Sequence, residues 1–283
     1  MAEKIRVDIA LVRQGKFESR EKAQAAIMAG LVFQGQTRIN KPSETVAEDI
    51  ELTVHGSATP YVGRGGLKLE KAVQVFRADL KNKTCMDIGC ATGGFTDVCL
   101  QNGAAHVYAI DVGYGQFDWK LRNDPRVTLL ERTNARYLTP EQVPLHPTVT
   151  VMDVSFISIK LILPVAAALM GEEGVFYTLI KPQFEAGRSH VGKNGVVRDA
   201  DVHVDVLESI VLFAESMSWR VAALDFSPVT GPKGNIEFLA EIRHQSRVPQ
   251  PQLTKASLAQ TVDRAHRELR ANGQTASDGC HES

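Results

Sequence analysis

No stretch of this 283-residue chain approaches the roughly 18 consecutive apolar residues that a membrane-spanning helix needs. Its opening residues, MAEKIRVDIALVRQGK, hold no apolar run long enough for a secretory signal. Cysteine is scarce. Cys85, Cys90, Cys99 and Cys280 form no CxxC pair and have no histidine at ligand spacing, so no metal site is expected. Three of them fall on one predicted strand-turn-helix, where small apolar thiols pack well; the thiols are expected to be reduced and the protein cytoplasmic. An excess of one charge is missing too. With a formal net charge of -1, any nucleic-acid partner must be held by a local basic patch and not by bulk charge.

What is present is enough for a packed core: 43% of residues are hydrophobic and 23% charged, over a length comfortable for two domains. The first part alternates short helices with a hairpin. RVDIALVRQG places Val7, Ile9, Ala10 and Leu11 on a helix stopped by Gly15. ESREKAQAAIMAG offers Ser19 as N-cap, an apolar stripe at Ala23, Ala26 and Ile27, and Gly30 as the stop. LVFQGQTRIN reads as strand-turn-strand around Gln34-Gly35-Gln36.

Residues 55–66, HGSATPYVGRGG, are punctuated by Gly and Pro and read as a linker. Strand and helix then alternate in the βαβ manner, with strands expected at 84–89, 106–111, 127–131, 148–153, 174–180, 219–226 and 236–242. The last two flank SPVTGPKGN and suit an antiparallel hairpin. The fold class expected is α/β, a Rossmann-like sheet preceded by a small α+β domain. Its boundaries are 1–60 for the small domain, 61–66 for the linker and 67–245 for the sheet domain. Residues 246–283 are expected to hold a terminal helix (Leu258, Val262, Ala265, Leu269) and a polar tail.

Three features of the sheet domain carry chemistry. In CMDIGCATGGFTDVCL a strand ends at Asp87-Ile88-Gly89, turns through Cys90-Ala91-Thr92 and opens a helix at Gly93-Gly94. A ligand can lie against the bare backbone of such a turn, and the helix N-terminus favours polar groups. Ala91 stands where the second glycine of GxGxxG would be. An acid two places before the first glycine is the pattern of S-adenosylmethionine sites more than of dinucleotide sites. Asp111, about 20 residues on at the tip of the second strand, is placed to accept both hydroxyls of a cofactor ribose. Asn134 in ERTNAR is a candidate for the adenine. The third feature is a set of charged residues at element ends: Lys68, Asp153, Lys181 and Glu237. Asp153 and Lys181 end parallel strands, and Glu237 begins a strand of opposite direction, so all meet at the ligand-binding edge. Lys71, one turn beyond Lys68, is the competing lysine. TLIKPQFEAG raises the question of whether the strand delivers Lys181 to solvent or to a substrate.

The glycine turn, DVGYGQ, the four charged positions and FEAGRSHVGKNGVVRD together resemble the TlyA family of ribosomal RNA 2'-O-methyltransferases. These are FtsJ-like enzymes with a K-D-K-E tetrad. RVDIALVRQGKFESREKAQAAIMAG and INKPSETV resemble the RNA-binding domain named after ribosomal protein S4. The resemblance spans residues 5 to about 243 and departs at LVFQGQTRI, where the family more often carries a Val-Asn-Gly turn. It implies 2'-O-methylation of a ribose, with cytidine the acceptor, using S-adenosylmethionine held by Asp87, Gly89, Cys90, Thr92, Gly93, Gly94, Asp111, Asn134 and Asp153. It also implies a catalytic set of Lys68, Asp153, Lys181 and Glu237. The partner implied is ribosomal RNA or a ribosomal subunit, with no membrane and no obligate protein partner. Arg6, Arg20, Lys22 and Arg38 would form one phosphate-facing surface. Arg64 would join them at the linker, and Arg188 and Lys193 on a mobile lid that also carries His190 and Arg198.

Methylating a hydroxyl needs alignment and removal of one proton. Positioning can offset roughly 7–11 kcal/mol; the remainder calls for a base, for which Lys181 is the candidate. A lysine is a poor base at neutral pH unless burial or a second cation favours its neutral form, and Lys68 supplies the cation. Glu237 is expected to fix Lys181 or Lys68, and Asp153 to hold the amine near the sulfonium. Competing readings are a nicotinamide oxidoreductase, which gives Lys181 and Glu237 no task, a cytolysin, since some members of this family carry a haemolysin label, and a non-catalytic RNA-binding protein.

Overall fold

The computed structural model describes residues 4–17, 19–28, 30–35, 37–48, 50–54, 59–248 and 253–274, with the side chains of Arg38 and of 270–274 left aside. Gln36 of the expected turn, Cys280 and the end of the polar tail lie outside the described residues. The chain divides into two compact units, Met1–Arg64 and Gly65–Ser283. The residues expected to form a linker at 61–66 are therefore shared between the two.

In the first unit β1 (Lys4–Arg6) leads into α1 (Val7–Arg13), and α2 follows (Arg20–Met28). Ser19 Oγ accepts from the Lys22 backbone N–H at 3.3 Å, the N-cap arrangement that satisfies a free first-turn donor. Val7, Ala10 and Leu11 of α1 pack on Ala23, Ala26 and Ile27 of α2. The hairpin of β2 (Val32–Gln34) and β3 (Thr37–Arg38) turns at Gly35. β4 (Thr45–Ala47) pairs with β1, and β5 (Thr53–Val54) with β2.

The second unit begins with α3 (Gly66–Phe76) and builds a seven-stranded sheet whose strands stand side by side in the order 219–226, 238–244, 175–180, 149–152, 84–88, 106–110 and 127–130. In chain order the elements are β6 (Thr84–Ile88), α4 (Gly94–Gln101), β7 (His106–Ile110), α5 (Trp119–Arg122), β8 (Val127–Leu130), β9 (Val149–Met152) and α6 (Leu163–Met170). They continue with β10 (Val175–Ile180), α7 (Pro182–Glu185), α8 (Ala200–Ser216), β11 (Trp219–Phe226), β12 (Phe238–His244) and α9 (Lys255–Gln274). β9 and β10 are buried along their whole length, as expected of parallel strands covered on both faces.

The chain runs β6-β7-β8 to one side and then returns to place β9 on the other side of β6. That reversal opens a crevice at the carboxyl ends of β6 and β9, where ligands of open α/β sheets bind. β12 lies antiparallel to β10 with Ile180 opposite Phe238. This register brings the residue before β12 back to the end of β10.

The terminal helix is part of this unit. α9 packs on α8 and β11 and buries Leu258, Val262 and Ala265 completely or nearly so. Among the described residues no helix is long and apolar enough to cross a membrane.

Candidate active site

Each strand of the crevice ends by handing over one polar residue. Met152 pairs with Ile88 on one side and Thr178 on the other, so Asp153 emerges between the glycine turn and β10. Lys181 follows Ile180 and is cut off from further strand by Pro182, which opens α7. Glu237 precedes Phe238 on the returning strand. Lys68 enters from the first turn of α3, which packs against β11 and β12.

These four side chains form one network. Lys68 Nζ donates to Glu237 Oε2 at 2.7 Å and to Asp153 Oδ2 at 3.2 Å. Lys181 Nζ lies 2.5 Å from Asp153 Oδ1 and donates to Ser155 Oγ at 2.9 Å. Asp153 therefore bridges two amines, and Glu237 belongs to Lys68. Lys181 is only 7% exposed, which answers the question raised by TLIKPQFEAG: the amine is held inside the site. Burial works against a charge on Lys68, but the carboxylates of Asp153 and Glu237 outweigh it and raise its pKa above the usual lysine value. Lys71 points elsewhere, donating to the Phe226 carbonyl at 2.7 Å and covering the Phe226 ring.

Beside the network lies a cavity of about 320 Å³, within the range of small-molecule sites. Its wall includes Gly89, Asp111, Asn134 and Asp153 from the expected cofactor set. Gly89 has φ +84°, and a β-carbon there would stand 2.7 Å from the Asp153 carbonyl oxygen, so only glycine fits. Asp111 accepts from the backbone N–H groups of Ala91 (2.8 Å) and Gly113 (2.6 Å). It closes the glycine turn onto the second strand and keeps further lone pairs for a ligand. Asn134 caps a short turn by accepting from Arg136 N at 3.1 Å.

The other expected cofactor residues do not line the cavity. Asp87 is fully buried, its Oδ2 accepting from Thr96 Oγ1 at 2.6 Å while Oδ1 has no hydrogen-bond partner among the described residues. Burial pushes the Asp87 carboxyl up to about 7, against the lowering pull of that hydrogen bond. Cys90 is buried as well. Gly93, at φ +97°, packs on Leu121 and Phe117, and with Gly94 and Thr92 it shapes the entry to α4 without lining the cavity. The sequence reading missed Ser155, the hydroxyl partner of Lys181, and Phe156. The latter lines the cavity with 91% of its surface exposed and φ +65°, a combination rare for a bulky residue. DVSFIS directly after a buried strand was the available signal.

The basic residues are distributed over both units. In the first, buried Asp8 is held well below the usual carboxylate range, chiefly by its hydrogen bonds from Arg6. Arg6 donates through two nitrogens at 3.0 Å, Arg20 at 3.0 Å and Gln24 at 2.7 Å. Arg6 and Arg20 are thus fixed on one carboxylate while staying roughly half exposed. Lys22 and Arg64 are exposed; the Arg38 side chain lies outside the described residues. In the second unit Arg188 and Lys193 are exposed on the segment after α7. The far end of that segment is anchored, with Val196 and Val197 buried and Asn235 bonded to both Gly195 and Val197.

Comparison with known proteins agrees with this architecture. A family model described as FtsJ-like methyltransferase matches residues 61–243, and one for the S4 domain matches residues 5–49. YqxC of Bacillus subtilis (strain 168), named as a candidate rRNA methyltransferase, is 48% identical over 271 residues, 95% of this chain and 96% of its own. The 16S/23S rRNA (cytidine-2'-O)-methyltransferase TlyA of Mycobacterium tuberculosis is 42% identical over 247 residues, 87% of this chain and 92% of its own. A solved structure from Streptococcus thermophilus, named as a candidate hemolysin, superposes with TM-score 0.76 at 45% identity. It covers 97% of this chain and 100% of that one.

Proposed function

The chain belongs to the FtsJ-like methyltransferase family and carries an S4 domain, and on that premise we propose that it methylates the 2'-oxygen of a cytidine ribose in ribosomal RNA, with S-adenosylmethionine as donor. The observation that carries this reading is Asp153, which both lines the 320 Å³ cavity and binds two lysines. The cavity wall suits the donor: a glycine that admits no β-carbon, a strand-end carboxylate at Asp111 for ribose hydroxyls, and Asn134 for a base edge. When bound, S-adenosylmethionine supplies a methyl group activated by a cationic sulfur.

The protein's own residues then have two tasks, alignment and proton removal. Lys181 takes the ribose hydroxyl proton as general base, and Ser155 and Asp153 fix its direction. Lys68 remains an ammonium, paired with Glu237, and by sharing Asp153 it keeps that carboxylate from collapsing fully onto Lys181. Water is limited at the base, which is 7% exposed.

The substrate reading draws on the relatives and on the S4 domain, whose Arg6 and Arg20 are held by Asp8 and stay about half exposed, available to phosphates. Arg188 and Lys193 would add phosphate contacts from the segment after α7, acting as a lid over bound RNA. A cytoplasmic setting accompanies a ribosomal substrate. Mapping 2'-O-methyl positions in ribosomal RNA from cells with and without the protein tests the proposal. A cytidine methylated only in its presence is expected; an unchanged methylation map overturns it.

A further inference from the structure

A second cavity, of about 230 Å³, shares no lining residue with the first. Three separate segments build it. Arg198 comes from the segment before α8, Thr230, Lys233 and Ile236 from the loop joining β11 to β12, and His266 and Leu269 from α9. Among the described residues its lining holds two permanent cations, a hydroxyl and an imidazole, and no carboxylate, in a chain whose net charge is -1. Asp199, which follows Arg198, spends its carboxylate capping α8 by accepting from Asp201 N at 2.9 Å, and Glu237, which follows Ile236, is paired with Lys68. At this volume the cavity is smaller than the roughly 300–1,000 Å³ of small-molecule sites, so a phosphate with its sugar fits it better than a whole dinucleotide.

The three walls are tied together before any ligand arrives. Asn235, 3% exposed, donates to Gly195 O (2.9 Å) and Pro232 O (3.1 Å) and accepts from Val197 N (3.1 Å). His203, fully buried, bonds the Val197 carbonyl at 3.2 Å and His266 at 2.9 Å, which joins the same segment to α9. Lys233 is held at φ 59°, a left-handed conformation that is strained for a residue with a side chain.

We propose that this cavity is a phosphate-binding pocket that anchors the backbone of the RNA substrate, and that α9 exists in part to complete it. The inference rests on the RNA methyltransferase reading above. Ile236 lines the pocket and Glu237 follows it in the chain, so a phosphate anchored here fixes the RNA next to the tetrad. Phosphate contacts of this kind set register and carry no base preference.

The test compares the full-length protein with its Arg198→Ala/Lys233→Ala variant. Binding of a ribosomal RNA fragment is measured across a salt series. A control variant, Lys81→Ala/Lys83→Ala, removes two cations just before the amino-terminal end of β6, away from the carboxyl ends of the parallel strands. The pocket variant is expected to bind RNA on the order of tenfold more weakly, with the log–log salt slope reduced by about one, while its S-adenosylmethionine affinity is unchanged. In the wild type, inorganic phosphate is expected to shift the His266 ring resonances and to compete with RNA, and in the variant to do neither. Wild-type RNA affinity and slope in the pocket variant would overturn the proposal, as would an equal loss in the control. Phosphate binding that leaves RNA affinity untouched would overturn it as well, by assigning the pocket to a small free phosphate. If RNA anchoring follows the pocket but no methyl transfer occurs, the catalytic reading fails and the pocket stands.

Discussion

Lys68 and Glu237 are separated by 169 positions in the chain and by 2.7 Å in space. The contact exists because α3 lies over the two strands of the closing hairpin, and because β12 starts where β10 ends. It leaves Lys181 with Asp153 and Ser155 as its partners, and in the proposed mechanism it divides the two amines into a fixed cation and a base.

Replacing Lys181 with Ala should lower methyl transfer by 10²- to 10⁴-fold, the usual contribution of a general base. Affinity for S-adenosylmethionine, measured by calorimetry, should stay close to wild type, since Gly89, Asp111 and Asn134 are untouched. Activity that survives the change would move the base to another residue.

Lys68 and Lys71 differ by one helical turn, yet only replacement of Lys68 should cost turnover. Lys68→Ala leaves Glu237, which is fully buried, without its ammonium, and both turnover and thermal stability should fall. Lys71→Ala removes a bond to the Phe226 carbonyl, a loss of about 1 kcal/mol in stability, with turnover retained. Single-turnover rates beside thermal melts distinguish them.

Gly231 is a steric guard for the tetrad. Its φ of -70° suits any residue, but a β-carbon there would stand 2.7 Å from Glu237 Cδ and overlap the carboxylate. Gly231→Ala should therefore displace Glu237 and reduce kcat as Glu237→Gln does, with the circular dichroism spectrum unchanged. A fully active Gly231→Ala enzyme would show that Glu237 tolerates movement.

Asp87 links stability to pH. Its pKa rises from the ordinary value near 3.9 in the unfolded chain to about 7 in the fold, so the folded state holds a proton that the unfolded state has lost. Stability from this group is full below about pH 4, declines as pH rises and levels off above about 7. The span amounts to about 4 kcal/mol at most. Asp87→Asn keeps an acceptor for Thr96 and removes the titration. The difference between wild-type and variant melting temperatures should shrink toward acid and widen toward neutral pH, read by calorimetry at a series of pH values.

Much of this protein is readable in its order of residues. Uncharged, largely apolar runs at 149–152 and 175–180 specify buried parallel strands, and the charged residues that follow them, Asp153 and Lys181, are where the strands end. The glycine turn, Ser19 as a cap and the closing hairpin are also local signals, set by backbone geometry within a few positions. Partner choice is not local. Whether Lys68 or Lys71 enters the site, which amine Glu237 serves, that Asp87 stays off the cavity wall while Ser155 and Phe156 lie on it, and that α9 joins the sheet unit all depend on how distant elements stack. Periodicity says which face of an element is apolar; only packing decides what that face, and each charge beside it, will meet.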